Sequence, residues 1–187
     1  SFPDEKRSKS SVDLIEIGLK MAKTAPESTL ALLRMIGVTI SRMFSAKMPK
    51  AIELFRIVAK SDSILQLPNE TVLKLGPTFD SFSFIPVVFP SEMNNIINYF
   101  IFLSKRSNAI VQVFQSPDSK IYSNLSKAFE SNVNEQTMNL LFSFATNDTQ
   151  NIVNSRALEL VLEKSKSLRK EFRSFLRPYM KYHCHII

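Results

Sequence analysis

Apolar side chains return every third and fourth position through nearly the whole chain, and only 3 of its 187 residues are glycine. Strand alternation persists nowhere. That pairing of features restricts the chain to helices, because a 3.6-residue period cannot present one face of a strand, and a chain this poor in glycine has few tight hairpins. The expected fold class is all-α, an irregular stack of about eight short helices of armadillo or HEAT-like kind, with a compact helical bundle as the alternative. A chain of this length buries roughly 70% of its extended-chain surface, enough for a core without staples. A single domain over residues 11–181 follows, with a disordered tail at 1–10 and a short tail at 182–187.

Ser11 is placed to cap a first helix over 11–23, with Ile15, Leu19 and Ala22 on one face and Ile17 and Met21 widening it. Thr24, Pro26 and Glu27 spell a capping box that opens a second helix, whose stripe is Leu30, Leu33, Ile36, Gly37, Ile40, Met43 and Phe44. Gly37 inside that stripe suggests a close crossing by another backbone. Pro49 opens a third helix over 50–60, with Ile52, Phe55 and Ala59 inward and Leu54 and Val58 alongside, and Asn69 caps a short one over 69–75. Gly76, Pro77, Pro86 and Pro90 then bracket Phe79, Phe82, Phe84 and Phe89, which reads as the longest irregular stretch, packing over helix ends with one short helical turn near residues 79–82; the functional alternative is an exposed apolar patch for a partner.

Beyond it, Ser91 caps an apolar helix over 91–105, and a brief helix covers 108–115. Ser116 and Pro117 start another helix with a stripe of Ile121, Leu125, Ala128 and Phe129. Met138, Leu141, Phe142 and Ala145 mark a helix over 135–146, and Asp148 or Thr149 caps one carrying Ile152, Val153, Ala157, Leu160 and Val161. The last helix, from about residue 166, carries Leu168, Phe172, Phe175, Leu176 and Tyr179.

Phe89 and Pro90, then Ile96 and Ile97 with the run 100–103, and later Thr137, Met138, Asn139, Leu140 and Leu141, follow the order of elements in armadillo-like domains. Over residues 65–165 the chain resembles the PUL domain family, without the tryptophan and arginine of that family's aliphatic helices. The resemblance implies an armadillo array that binds a partner protein, a scaffold role and not a reaction.

Catalysis requires converging titratable groups, and this chain has two histidines and one cysteine. No phosphate-cradling glycine loop, nucleophile elbow or zinc-protease helix is spelled in it. We therefore expect no enzyme, no catalytic residue, no cofactor and no small-molecule substrate. His183, Cys184 and His185 are the one cluster with ligand chemistry, but an extended chain puts two imidazoles on one side and the thiol on the other, so no metal site is expected. A lone cysteine also excludes an intramolecular disulfide framework and points to a cytoplasmic or nuclear setting. No run reaches the roughly 20 apolar residues of a spanning helix. Nothing is read into the sequons at Asn69, Asn124 and Asn147.

The 24 basic and 17 acidic residues give a net charge of +7, unevenly spread. Residues 76–150 carry 4 basic and 6 acidic side chains, residues 151–187 carry 8 and 3. Lys166, Arg169, Lys170, Arg173 and Arg177 recur at helical spacing opposite the apolar stripe of the last helix, a cationic strip suited to an acidic protein or an anionic membrane surface. The plainer alternative is a solvated face. Nucleic acid is the less favoured partner, since Phe172 and Phe175 belong to the apolar stripe and base stacking needs exposed rings. The expectation is a non-enzymatic protein-interaction module or scaffold domain whose partner is a protein or peptide. The alternative is a peripheral binder of anionic lipid or nucleic acid through the basic C-terminal helix. A scaffold would hold residues such as Asn94, Asn98 and Asn139 on a concave surface.

Overall fold

The computed structural model describes residues 3–131, 134–147, 152–153, 160 and 163. They form α1 (Pro3–Lys20), α2 (Pro26–Phe44), α3 (Lys50–Lys60), α4 (Ser63–Gln66) and α5 (Asn69–Val72), the last continued by a 3-10 turn at Leu73–Leu75. Then come α6 (Gly76–Val88), a 3-10 turn at Pro90–Glu92, α7 (Met93–Ser104), α8 (Asn108–Gln115), α9 (Ile121–Glu130) and α10 (Glu135–Ala145). The described chain is all-helical apart from one two-residue pairing, in which β1 (Thr146–Asn147) runs antiparallel to β2 (Ile152–Val153).

The segment expected to be irregular is instead the helix at the centre of the molecule. α6 packs against α2, α3, α7 and α9, and Thr78, Phe79, Phe82, Ser83, Ile85 and Pro86 along it are buried. Its prolines mislead because position decides what a proline costs. Pro77 stands in the first turn, where no intrahelical partner awaits its missing N–H, whereas Pro86 stands inside the helix and forgoes the bond to Phe82 O, after which the ladder resumes with the Phe89 N–H on Ile85 O at 2.8 Å. A helix apolar on nearly every side is stable only when surrounded.

Six phenylalanines, Phe79, Phe82, Phe100, Phe114, Phe129 and Phe144, are fully buried. Phe79 is the hub, meeting Phe82 at 6.3 Å, Phe100 at 6.1 Å and Phe114 at 5.1 Å, each edge to face. Phe100 and Phe114 both reach Phe144, at 6.2 Å and 5.7 Å, which ties α10 to α7 and α8. Such pairs contribute roughly 0.5–1.5 kcal/mol each beyond the area they bury.

Gly37 is a close crossing. A Cβ there would lie 3.2 Å from Thr78 Cα, so α2 and α6 approach backbone to backbone, and the Thr78 hydroxyl donates to Leu33 O at 3.5 Å across the contact. The stripe of α2 is buried from Leu30 to Ile40 as its spacing predicts. On α3 the buried line is Ala51, Phe55 and Val58, with Ile52 and Ala59 only half-buried, a rotation of the expected face.

Local details depart from expectation at several helix ends. α1 begins at Pro3, so Ser11 lies within it and is not its N-cap, and residues 3–10, expected as tail, are its first turns. Ile17 and Met21 are exposed, with Leu14, on the side away from Leu19 and Ala22. The expected capping box does not form. Thr24 donates back to Met21 O at 3.3 Å, the N-cap of α2 is Ala25 without a side-chain bond, and Glu27 pairs across to Lys74 Nζ at 3.3 Å. Pro68, not Asn69, is the N-cap of α5.

α8 spans the expected residues and α10 ends one short of them. The Ile110 N–H reaches the Ser107 hydroxyl at 3.4 Å at the start of α8, and the Thr137 N–H reaches Asn134 Oδ1 at 2.9 Å at the start of α10. Near the end of the described chain, Ile152 and Val153 form a strand where a helix was expected. Both are β-branched, and their pairing with Thr146 and Asn147 satisfies backbone groups where the chain leaves α10. Leu160 is helical and buried. Asp148, Thr149, Ala157 and Val161 lie outside the described residues, as does the expected last helix.

Candidate functional site

Surrounded as it is, α6 leaves one line open: Pro77, Asp80, Ser81 and Phe84, at helical spacing, are exposed or half-buried. α2 walls this line on one side with Arg34, Val38, Ser41, Arg42 and Phe44, and α9 with its approach walls the other with Lys120, Asn124 and Lys127. The result is two adjoining clefts of about 440 and 450 Å³ that share Ser41, Pro77 and Ser81. Volumes of this order lie within the range of ligand clefts.

The floor is held by short polar contacts. The Ser81 hydroxyl donates to Pro77 O at 3.0 Å and lies 2.9 Å from the Ser41 hydroxyl, stitching α6 to α2. On the other side Asp80 Oδ1 accepts the Lys120 N–H at 2.8 Å. This is a cap supplied from another helix: Lys120 is the N-cap residue of α9 and its own side chain makes no capping bond. With the Ile121 N–H on the Ser119 hydroxyl at 3.3 Å, it fixes the start of α9 at Ile121 and not at Ser116 and Pro117. Asn124 Nδ2 donates to Asp80 O at 3.1 Å and to the Ser83 hydroxyl at 2.8 Å, and Ser83 in turn donates to Asp80 O at 2.8 Å. Asn124, nominally the acceptor of a sequon, is therefore buried and occupied.

Partial burial pushes the Asp80 carboxyl above the usual carboxylate range, against the opposing pull of the Lys120 amide and charge. A second perturbed group, Tyr99, lies in the core of α7 beside the Phe55 ring at 5.4 Å, where burial first and the Asp62 charge second push its phenol well up. The two do not converge on one cleft, since Tyr99 lines neither of those above.

Electrostatically the groove is a rim of cations over a floor that carries the Asp80 carboxyl and the Ser41 and Ser81 hydroxyls. Arg34, Arg42, Lys120 and Lys127 are all exposed. Arg34 donates to Lys74 O at 3.1 Å. The ion pairs among the described residues, Arg56 with Glu92 at 2.9 Å and Lys74 with Glu27, involve none of the four. Arg34 and Arg42 are eight residues apart on one helix face, roughly 12 Å at 1.5 Å per residue, and Lys120 and Lys127 are two turns apart, roughly 10 Å. Such an arrangement can hold an elongated anionic ligand by charge and hydroxyl contacts.

Of the residues singled out from the sequence, Lys166, Arg169, Lys170, Arg173 and Arg177 lie outside the described residues, and so do His183, Cys184 and His185. Asn94 accepts from the Thr137 hydroxyl at 3.1 Å and joins α7 to α10, while Asn98 is exposed and Asn139 half-buried; none of the three lines the groove. Of the groove residues, Phe84 belongs to the segment whose phenylalanines were one candidate partner patch, and the flanking cations and hydroxyls were missed. A signal existed in the two-turn spacing of Arg34 with Ser41 and Arg42, and of Lys120 with Lys127, but spacing on one helix does not reveal which face of another it adjoins. Among the described residues no three His, Cys, Asp or Glu side chains cluster as metal ligands, and no helix is long and apolar enough to cross a membrane. Compared with protein-family models, curated proteins and solved structures, the chain gives no match.

Proposed function

We propose that this helical domain is a non-enzymatic protein-interaction module, with the groove over α6 as its contact surface. The observation that carries the reading is the open line of α6: a central helix whose remaining circumference is buried leaves Pro77, Ser81 and Phe84 accessible between two walls bearing four cations. A core helix exposed along one groove gives a partner a rigid floor, and rigidity limits the ordering cost of binding. The same reading assigns the finer architecture to armadillo-like stacking, of the kind the PUL domain family has. Support for that comes from elements three apart packing together, α3 with α6, α6 with α9 and α7 with α10.

The test is site-specific photo-crosslinking of the purified chain in a cell extract, with the photoreactive residue at Ser81 or, as a control, at exposed Glu70 on α5. Discrete protein adducts formed at Ser81 and not at Glu70 are expected. Co-sedimentation with phosphatidylserine vesicles that falls with salt and is lost on Lys166→Glu, Arg169→Glu, Lys170→Glu and Arg173→Glu together, without adducts at Ser81, would replace this reading with that of a peripheral anion binder.

A further inference from the structure

Resting on the reading of the domain as a protein-interaction module, we infer that the α6 groove binds an extended acidic segment of its partner, carboxylates on the rim cations and apolar side chains on the floor between them. Arg34 and Arg42 stand on one wall, Lys120 and Lys127 on the other, and Val38, Pro77 and Phe84 lie between, so charge and apolar surface alternate across the groove. A peptide in extended form alternates its side chains in the same way, and its backbone amides can donate to the hydroxyl oxygens of Ser41 and Ser81. The groove is therefore complementary to a chain in which acidic residues are interspersed with small apolar ones.

The floor favours a peptide over a phosphodiester chain. Asp80 lies on the floor beside Lys120 with its carboxylate already engaged. A phosphodiester chain, charged at every residue, would be repelled there, whereas a peptide can set a neutral residue over Asp80.

The experiment is fluorescence anisotropy with the full chain and a fluorescein-labelled peptide of glutamates interspersed with valines, at low and moderate salt. Its lysine-for-glutamate counterpart, poly(U) RNA and phosphatidylserine vesicles serve as the other probes. The glutamate peptide should bind in a salt-sensitive manner, and the joint variant Arg42→Glu and Lys127→Glu should weaken it by roughly tenfold or more, since each reversal replaces attraction with repulsion. Both residues are exposed, which favours an unchanged melting curve. Should that variant melt lower, Arg42→Gln with Lys127→Gln is used, for which a smaller loss at native stability is expected.

Full-strength binding by these variants, with loss only on Lys166→Glu, Arg169→Glu, Lys170→Glu and Arg173→Glu, would overturn the groove assignment while leaving the module reading standing. Tighter capture of RNA or vesicles through Arg42 and Lys127 would overturn the choice of a peptide. Absence of glutamate-peptide binding at low salt would overturn the inference outright; the Ser81 crosslink then decides separately whether the module reading survives.

Discussion

Gly37 and Thr78 set how closely α2 and α6 approach, and the distance leaves little room for anything larger. A valine at Gly37 would bring its Cβ 3.2 Å from Thr78 Cα and its methyls closer still, against backbone that cannot swing away as a side chain could. Overpacking of this kind costs about 2 kcal/mol, and Gly37→Val is expected to lower the urea midpoint of unfolding accordingly without changing its slope. Gly37→Ala should cost less, because the helix-propensity gain of about 1 kcal/mol offsets part of the clash.

Asp80 makes the contrasting residue, one whose charge is a burden and whose oxygen is needed. With its carboxyl pushed up by burial, the folded state binds the proton more tightly than the unfolded state does, so this group's contribution to stability is full below about pH 4 and is lost as pH rises through the folded value. Asp80→Asn keeps an oxygen for the Lys120 N–H and removes the desolvated charge. It should match or exceed the parent in stability at neutral pH and abolish this component of the pH dependence. Asp80→Ala removes the cap and should cost about 1 kcal/mol, read from thermal melts across the same pH range.

At the level of elements, helix ends show how differently similar sequences are used. α2 closes with Lys47 in the left-handed region at φ 48°, its N–H on Phe44 O at 3.0 Å and the Met48 N–H on Met43 O at 3.2 Å, the double bond of a Schellman end. Glycine takes that conformation without the Cβ penalty, so Lys47→Gly should raise stability by up to about 1 kcal/mol, measured as an increase in melting temperature. Most helices were legible: α8 matches its expected span, and Ile121, Leu125, Ala128 and Phe129 are the buried stripe of α9. What was not legible were the ends set by other elements. Thr24 had every sequence feature of a cap and turns back to close α1, whereas α9 starts where Asp80, forty residues earlier, offers an oxygen. The candidate groove was illegible for the same reason, since its walls come from helices whose mutual placement no local period encodes.

For the molecule as a whole, the phenylalanine network makes α6 the member on which the others depend. Phe79→Ala removes the ring that meets Phe82, Phe100 and Phe114 and should cost about 3–5 kcal/mol, with α7 and α8 both losing a packing surface. Phe84→Ala, on the groove line, should cost markedly less because that ring is already partly in water. Loss of this size is a large share of a typical domain's stability, so the Phe79 variant is expected to show reduced or absent cooperative unfolding by near-ultraviolet signal while Phe84→Ala retains it. Taken alone, the sequence determined that the chain is helical and where most helices lie, because periodicity and propensity act over a few residues and are written into them. Only the tertiary structure decided that the glycine- and proline-bounded segment is a helix and the central one. Pro77 costs little in the first turn, and burying Phe79, Phe82 and Ile85 on several sides at once outweighs the hydrogen bond that Pro86 removes inside the helix. Which cations face one another across a groove was decided there too, by helix packing that couples residues far apart in the chain.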